Sequence, residues 1–544
     1  MIAVLKKIEA QTWLRSSKWR SVLLMFSGLL TGLCVSFPAI GVLEWVSLVP
    51  ALTIFFSMSS DENVPLRRLY RGGLIFNYSF SVVIFHWFFY MYPLEFTGVT
   101  PVIALAIVLV ATLGLSLLQS LFGALIPVVL ALVSRGRIVK KLPYLQVIIL
   151  AGLWCVREWA QTLTWTGVPW GRLALGQASI PLMLQTASWF GSYAVTFVIV
   201  LVNGCIAFAL LHADRRRLCA LFGIGVFALQ LTLGGIIMLT DTTRSSGDML
   251  KVVAIQGNVG SADKWQTSND ETFEIYYALT VQAAEQGADV IVWPETAVPV
   301  DFDGLPRYRD PLLELAKDHH VILVLGAFVH KSANETYNAV RLIDETGTMH
   351  ENFYAKRHLV PFGEYVPLRP VIEAVLPFLT EISMLSSDTL AGEDAAVFET
   401  ELGHIGALVC FDSIYEQLAL DAAREDAELL CIVTNDSWFF DSAAVYMHNA
   451  QAKLRAIETG RYVVRAANTG VSSVITPTGK ELARLDALEE GIVTAEIEMR
   501  SDLTLYTLVG NLFVYICLIG CAGLLAERMA NGIYHCVKTA KSKK

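Results

Sequence analysis

Eight long stretches of the 544-residue chain are almost free of charge: 20–37, 39–58, 72–92, 102–133, 144–163, 191–212, 217–240 and 506–526. A helix needs roughly 20 apolar residues to cross the hydrocarbon of a bilayer, so each stretch is a candidate span, and the fourth is long enough to tilt or protrude. Between the last two lies 241–505, which has the charge and periodicity of a globular domain. The chain is therefore expected to divide between two solvents: a seven-span bundle over 1–240, a water-facing domain over 241–505, and an eighth span with a basic tail over 506–544. Composition agrees, because 54% hydrophobic residues, 17% charged residues and a mean hydropathy of +0.52 are too apolar for a soluble enzyme. Lys6, Lys7, Arg15, Lys18 and Arg20 precede the first stretch like the basic end of a signal peptide, but further spans follow at once, so it is expected to stay in the protein.

Positive charge sets the orientation, since short loops rich in Lys and Arg resist translocation. The N-terminus, the loop with Arg67, Arg68 and Arg71, the "SRGRIVKK" and "DRRR" loops and the "KSKK" tail are basic, and they alternate with loops nearly free of Lys and Arg. Arg172 is the main exception. Both ends are thus expected in the cytoplasm and 241–505 outside it. Glu44, His86, Arg157 and Glu158 lie within apolar runs, where charge is costly and faces a bundle interior or a wet cavity. Arg157 and Glu158 point about 100° apart on a helix and do not pair with each other.

The net charge of −9, with no basic cluster in 241–505, argues against a nucleic-acid partner. Of nine cysteines only Cys410 and Cys431 fall in the globular part. Cys431, in "LLCIVTND", reads as a buried strand residue, which leaves Cys410 unexplained. The runs "KVVAIQGNV", "ADVIVWPETA", "VILVLGAFV", "IGALVCFDS", "LLCIVTND" and "GIVTAEIEM" read as strands buried on both faces. "NAVRLIDETGTMHENFYAK" and "RYVVRAANTGVSSVITPTGKEL" read as hairpins turning near Gly347 and Gly479. Ser268 and Glu271 form a capping box before a helix, and "SIYEQLALDAAREDA" and "AVYMHNAQAKLRAIETG" supply others. Sheets flanked by helices make a layered α/β fold.

Catalytic groups in such sheets sit beyond the carboxyl ends of strands. Glu295, Lys356 and Cys410 occupy that position or its equivalent. A thiol with a free pKa near ~8.5 needs a base or a positive field to act as a nucleophile. Glu295 supplies a base if burial raises its pKa, and Lys356 supplies charge for an oxyanion. The trio suffices for acyl transfer through a thioester. Taken singly, each residue has a plainer reading: a buried small hydrophobe, a turn acid, a surface lysine. His358 and His404 are the partners a cysteine–histidine enzyme would use, and no group of His, Cys, Asp and Glu has the spacing of a zinc site, so neither metal nor cofactor is expected.

"VWPETAVP", "NFYAKRHLVPFGEYVP" and "ALVCFDSIYE" resemble the three motifs of the nitrilase, or carbon–nitrogen hydrolase, superfamily. With the flanking spans, "NDSWF" and "RAIETGRYVVRAANTGVS", nearly the whole chain resembles the bacterial apolipoprotein N-acyltransferase family within it. The resemblance implies an αββα sandwich on the periplasmic side of the inner membrane and a Glu295–Lys356–Cys410 triad. It implies a ping-pong reaction from a phospholipid acyl donor, through a Cys410 thioester, to the α-amine of a diacylated lipoprotein. It implies Glu364 as a fourth acid orienting Lys356 or the amine, with Asp412 in support. Trp265, Phe362, Tyr365 and Phe411 are candidates for the lipid entrance, and a monomer is expected. Two positions depart from the family pattern: Asp412 stands where Glu is usual, and Phe440 where Gly is usual. A membrane-tethered hydrolase using water as acceptor would need the same trio, so the residues alone leave the acceptor open.

Overall fold

The computed structural model describes residues 16–94, 99–241, 249–260, 268–332, 335–375 and 388–542. Among these, six helices are long and apolar enough to cross a membrane: Ser17–Ser36, Pro38–Ser60, Pro101–Ser134, Ser192–Leu211, Arg216–Asp241 and Leu512–Asn531. The stretches 72–92 and 144–163 fall short of that standard for visible reasons. Helix Leu66–Ile84 opens with three arginines and gives way to a 3-10 turn at His86–Met91, and Leu145–Ala160 has 16 residues with Arg157 and Glu158 near its end. Both nevertheless pack within the bundle. The first does so very closely: a Cβ on Gly28 or Gly32 would lie 2.3 Å from the Phe76 carbonyl oxygen or 2.9 Å from that of Phe80, the small-residue contact expected of helices in lipid.

The long fourth stretch is two helices, Pro101–Gly123 and Leu125–Ser134, because Pro127 has no N–H to return to the carbonyl of Gly123. The last stretch begins later than the hydropathy suggests. Leu505–Val509 is a separate short helix stopped by Gly510 at φ +56°, and the long helix starts at Leu512. The intramembrane polar groups are used structurally. Glu44 accepts from Gln177 at 2.7 Å, and Glu158 accepts from Leu173 N and Thr196 Oγ1 at 3.0 and 2.8 Å rather than from Arg157. Arg157 lies 6.0 Å from the Phe80 ring centroid.

The globular part holds two six-stranded sheets. The first comprises β1 (Leu250–Gln256), β2 (Val290–Val292), β3 (Ile322–Ser332), β4 (Glu335–Ile343), β5 (Tyr354–Ala355) and β12 (Gly491–Ile497), in the order β12-β1-β2-β3-β4-β5. The second comprises β6 (Val397–Thr400), β7 (Gly403–Val409), β8 (Leu429–Thr434), β9 (Tyr462–Ala467), β10 (Ser472–Ile475) and β11 (Glu481–Leu485), in the order β11-β10-β9-β8-β7-β6. Each sheet has a parallel centre, β1-β2-β3 or β7-β8-β9, with antiparallel strands outside it. The second expected hairpin is a three-strand meander, since the chain also reverses between β9 and β10.

Alternation along the strands shows how the layers stack. Val252, Ala254, Val290, Val292, Ile322 and Val324 share a core with the second sheet's Ile405, Ala407, Leu429 and Cys431. Their neighbours Val253, Ile255, Ile291, Trp293, Leu323 and Leu325 pack instead with helices Asn269–Glu285 and Pro306–His319. Successive side chains on a strand take opposite faces, so the two sheets meet face to face with helices outside. Helices Glu416–Arg424 and Ala443–Thr459 accompany the second sheet.

Candidate active site

β2, β7 and β8 deliver their carboxyl ends to one place, and β5 ends beside them. Glu295 follows β2 and is 6% exposed. Its Oε1 accepts from Asn338 Nδ2 at 2.7 Å and from Lys356 Nζ at 3.0 Å, and its Oε2 accepts from Asn435 N at 2.9 Å. β3 must pass close for this to happen: a Cβ on Gly326 would stand 2.2 Å from the Pro294 carbonyl oxygen, so only glycine fits there.

Lys356 follows β5, with its backbone N–H donating to Asn338 O at 2.8 Å. Its side chain is buried between two carboxylates, with Glu364 Oε1 at 3.0 Å opposite Glu295. Glu364 is itself fixed, accepting from Val360 N at 2.8 Å and from Asn338 Nδ2 at 2.8 Å. Asn338 therefore bridges both acids that face the ammonium.

Cys410 closes β7 in a left-handed conformation, φ +51°, and opens the 3-10 turn Cys410–Ile414. Non-glycine residues hold such angles only when their surroundings enforce them. Here Ser413 Oγ donates to the Cys410 carbonyl at 2.8 Å, and His448 Nε2 lies 3.1 Å from the same oxygen. The thiol lies close enough to the Glu295 carboxylate for each to shift the other's ionisation, and Cys410 is half-buried. Asp412 links this turn to the strand carrying Lys356, accepting from His358 N at 2.7 Å and from Tyr354 Oη at 2.8 Å.

The electrostatics differ from the sequence expectation at Glu295. Burial does push its carboxyl up, but the Lys356 ammonium and the Asn338 hydrogen bond outweigh burial and hold it below the usual range. For Lys356, burial is likewise outweighed by Glu295 and Glu364, which hold the ammonium well above the ordinary lysine value. Burial and then the Glu295 charge push the Cys410 thiol up, with Lys356 opposing them only in part. The resting site is thus a thiol beside a carboxylate and an ammonium, so the thiol must give up its proton as it attacks. Burial also lifts Asp412, to about 6, against the pull of Lys356.

The candidate entrance residues divide. Trp265 lies outside the described residues. Phe362 is 41% exposed at φ +63°, and its N–H donates to the Tyr365 carbonyl at 2.7 Å. Phe411 packs edge-on against Tyr415, centroids 5.4 Å apart. Neither histidine weighed from the sequence joins Cys410 as a partner: His358 stacks on Tyr415 at 4.0 Å, and His404 sits at the start of β7 paired with Glu399. His448, on helix Ala443–Thr459, meets the backbone carbonyl of Cys410.

Cys410, Asp436 and His448 place ligand-type atoms within 4.8 Å of one another, a grouping the sequence spacing does not reveal. The carboxylate and the imidazole of this grouping already have protein partners. His448 Nδ1 meets Asp436 Oδ1 at 2.8 Å, Arg465 donates to Asp436 Oδ2 at 2.6 Å, and His448 Nε2 meets Ser413 Oγ at 2.9 Å. Burial raises the Asp436 pKa, but Arg465 and His448 outweigh it and hold the group far below the carboxylate range.

A sequence profile of carbon–nitrogen hydrolases matches residues 251–502, and one of the apolipoprotein N-acyltransferase N-terminal domain matches residues 27–205. The apolipoprotein N-acyltransferase of Geobacter metallireducens is 30% identical over 512 residues, covering 92% of this chain and 94% of that protein. This chain belongs to the apolipoprotein N-acyltransferase family. The member from Methylococcus capsulatus is 32% identical over 397 residues, covering 71% of this chain and 75% of its own. Among solved structures, an amidase from Nesterenkonia sp. is 18% identical with a TM-score of 0.39, covering 50% of this chain and 97% of its own. As a member of the N-acyltransferase family, the chain is a multi-pass membrane enzyme with a nitrilase-like domain.

The family motifs carry Glu295, Lys356, Glu364, Cys410 and Asp412, which meet in one site. The sequence reading missed Asn338 and His448. Asn338 sits in a strand whose neighbours look ordinary, and His448 lies on a helix with no local sign of its partner. The quoted "NDSWF" segment did contain a signal, since Asn435 N and Asp436 both serve the site.

Proposed function

We propose that this chain transfers an acyl chain from a membrane phospholipid to the α-amine of the diacylglyceryl-modified N-terminal cysteine of a lipoprotein, through a thioester on Cys410. The observation that carries the reading is the Glu295 carboxylate, which takes Lys356 Nζ at 3.0 Å and lies close enough to the Cys410 thiol for the two groups to shift each other's ionisation, in a chain of this family. As Sγ attacks the ester carbonyl, Glu295 takes the thiol proton, and the Lys356 ammonium faces the oxygen that becomes negative. Collapse breaks the ester bond, and Glu295 returns the proton to the departing lysophospholipid oxygen. The amine then attacks the thioester, Glu295 takes a proton from its nitrogen, and the thiol leaves restored. Glu364 holds Lys356 in place, and Asp412 holds the two strand ends together.

Both substrates are lipids, so the site must open toward the bilayer. Bundle residues Trp87 and Trp170 support such a route by packing on Phe439 of the "NDSWF" segment, with centroids 4.7 and 6.0 Å apart. Phe362, Tyr365 and Phe411 line the other approach in this reading. The charge alternation of the loops supports eight spans, with the two shorter helices counted, both termini in the cytoplasm, and the 241–505 domain on the periplasmic face of the inner membrane.

Purified protein, a labelled phospholipid and a diacylated lipopeptide test the proposal directly. The expected products are an acyl adduct on Cys410, seen by intact mass, and N-acylated peptide. Free fatty acid with no acylated peptide would make the chain a hydrolase using water and overturn the reading.

A further inference from the structure

Arg172 is the charge that breaks the outer-loop pattern, and it is fully buried. It pairs with Glu416, the first residue of helix Glu416–Arg424, directly after the turn that carries Cys410. Tyr193 Oη donates to the other Glu416 oxygen at 2.5 Å, and Arg172 Nη1 donates to Ser192 Oγ at 3.0 Å. Ser192 N donates to Glu458 Oε1 at 2.8 Å, Glu458 pairs with Arg455 at 2.5 Å, and Arg455 Nη1 donates to the Ser413 carbonyl at 3.2 Å. Ser413 in turn holds the Cys410 carbonyl. Two cations and two carboxylates are thus buried together, Arg172 from the membrane part and Arg455, Glu416 and Glu458 from the catalytic domain.

We propose that Arg172 is a positioning residue for Cys410, by which the membrane part fixes the nucleophile's turn from behind. The inference rests on the thioester reading above. Cys410 sits at φ +51°, a conformation that persists only where its surroundings over-determine it. The turn spans Cys410–Ile414, with β7 in front. Its rear is held by Glu416, through Arg172 and Tyr193, and by Arg455 at the Ser413 carbonyl. Releasing that end lets the thiol drift from Glu295, and a displacement on the order of 1 Å costs about 100-fold in rate.

The test uses the full-length protein carrying Arg172→Met together with Glu416→Met. Replacing both partners of a buried pair with apolar residues is often neutral or stabilising, so folding is retained. The expected result is kcat for Cys410 acylation by phospholipid roughly 10- to 100-fold lower with KM within about 2-fold of wild type. A folded double variant with wild-type kcat would overturn the proposal, because the pair would then serve only to compensate buried charge. If the double variant does not fold, Tyr193→Phe decides: it removes one hydrogen bond to Glu416 and is expected to lower kcat several-fold at constant KM, and an unchanged kcat overturns the idea. If the wild-type protein forms no thioester from phospholipid, the proposed function fails. The positioning role is then read from carboxamidomethylation of Cys410 by iodoacetamide, expected to change in rate in the same variants, and equal rates would reject it.

Discussion

Two buried charge clusters flank the turn at Cys410, and they are built on different rules. Around Lys356 one cation faces two carboxylates, with a neutral thiol beside one of them. Around Arg172 two cations face two carboxylates, with a tyrosine hydroxyl as the extra donor. The second set is balanced in formal charge. The first has a carboxylate held low and a thiol held high, a gradient that is crossed only when a carbonyl arrives to take the sulfur's electrons. Backbone strain follows the same division. Thr296, Phe362, Cys410 and Phe440 have positive φ around the first cluster, whereas the residues of the second sit in or beside regular helices. Strain held at a functional site is a common form of pre-organisation.

The largest effect should separate the clusters outright. Glu295→Gln keeps a side chain that accepts from Lys356 but removes the proton acceptor, so acylation of Cys410 should fall by about 10²–10⁴-fold while the melting temperature in detergent changes little. A rapid thioester in this variant would mean that the first cluster is no more reactive than the second.

Lys356→Met should come next, and in stability as well as rate. It leaves Glu295 and Glu364 buried without their cation, a loss of about 3–5 kcal/mol when one partner of a buried pair is removed. Thermal unfolding measures it. Adding Glu295→Gln should recover part of the stability and none of the acyl transfer, because one of the two unpaired charges is gone and so is the base.

The acids of the first region also carry opposite signs in their pH dependence. The Asp412 pKa is raised to about 6 from an ordinary 3.8, so the folded protein binds this proton more tightly than the unfolded chain does. Its contribution is full below the unfolded value and declines as pH rises through about 6, a change on the order of 2–3 kcal/mol. Glu295 is lowered, so its contribution is present above the unfolded value and lost as pH falls through the folded one. Asp412→Asn should therefore flatten the stability slope between pH 4 and 6 in denaturant titrations, within the range that order of magnitude allows. An unchanged slope would assign the window to another group.

How much of this could be read from the chain depended on distance along it. The strands β1, β3, β7 and β8 were legible because an apolar, β-branched run buried on both faces is a local signal, and Glu295, Lys356 and Cys410 stood out because they end such runs or close a hairpin. β6 was missed: it is four residues long, with only Phe398 buried. Asn338, His448 and the Arg172–Glu416 pair act across the fold with no periodicity to announce them. The direction of the Glu295 shift was misjudged because burial alone is readable from an apolar context, whereas the ion pair that reverses it arrives from a strand 61 residues away. Hydropathy alone also missed the break at Gly510 and the bend before Pro127, since neither proline nor glycine makes a run less apolar.

The smallest expected effect tests whether the strain around the reactive cluster is all functional. Phe440 occupies φ +47°, ψ −147° at the end of the "NDSWF" turn, a region that is essentially glycine's, and its ring is 52% exposed. An exposed ring gains little from burial, so the conformational cost there is not offset by packing within the described residues. Phe440→Gly should stabilise the protein by about 1 kcal/mol, the relief of strain minus the added freedom of the unfolded chain, and thermal unfolding would register it as a rise in melting temperature. If Phe440 instead contacts a lipid acyl chain, the same variant should raise KM for phospholipid while kcat stays constant, which would make this residue part of the entrance rather than a tolerated departure. A variant both less stable and unchanged in KM would mean that the turn needs the ring for packing, and that strain beside Cys410 is distributed more widely than its backbone angles indicate.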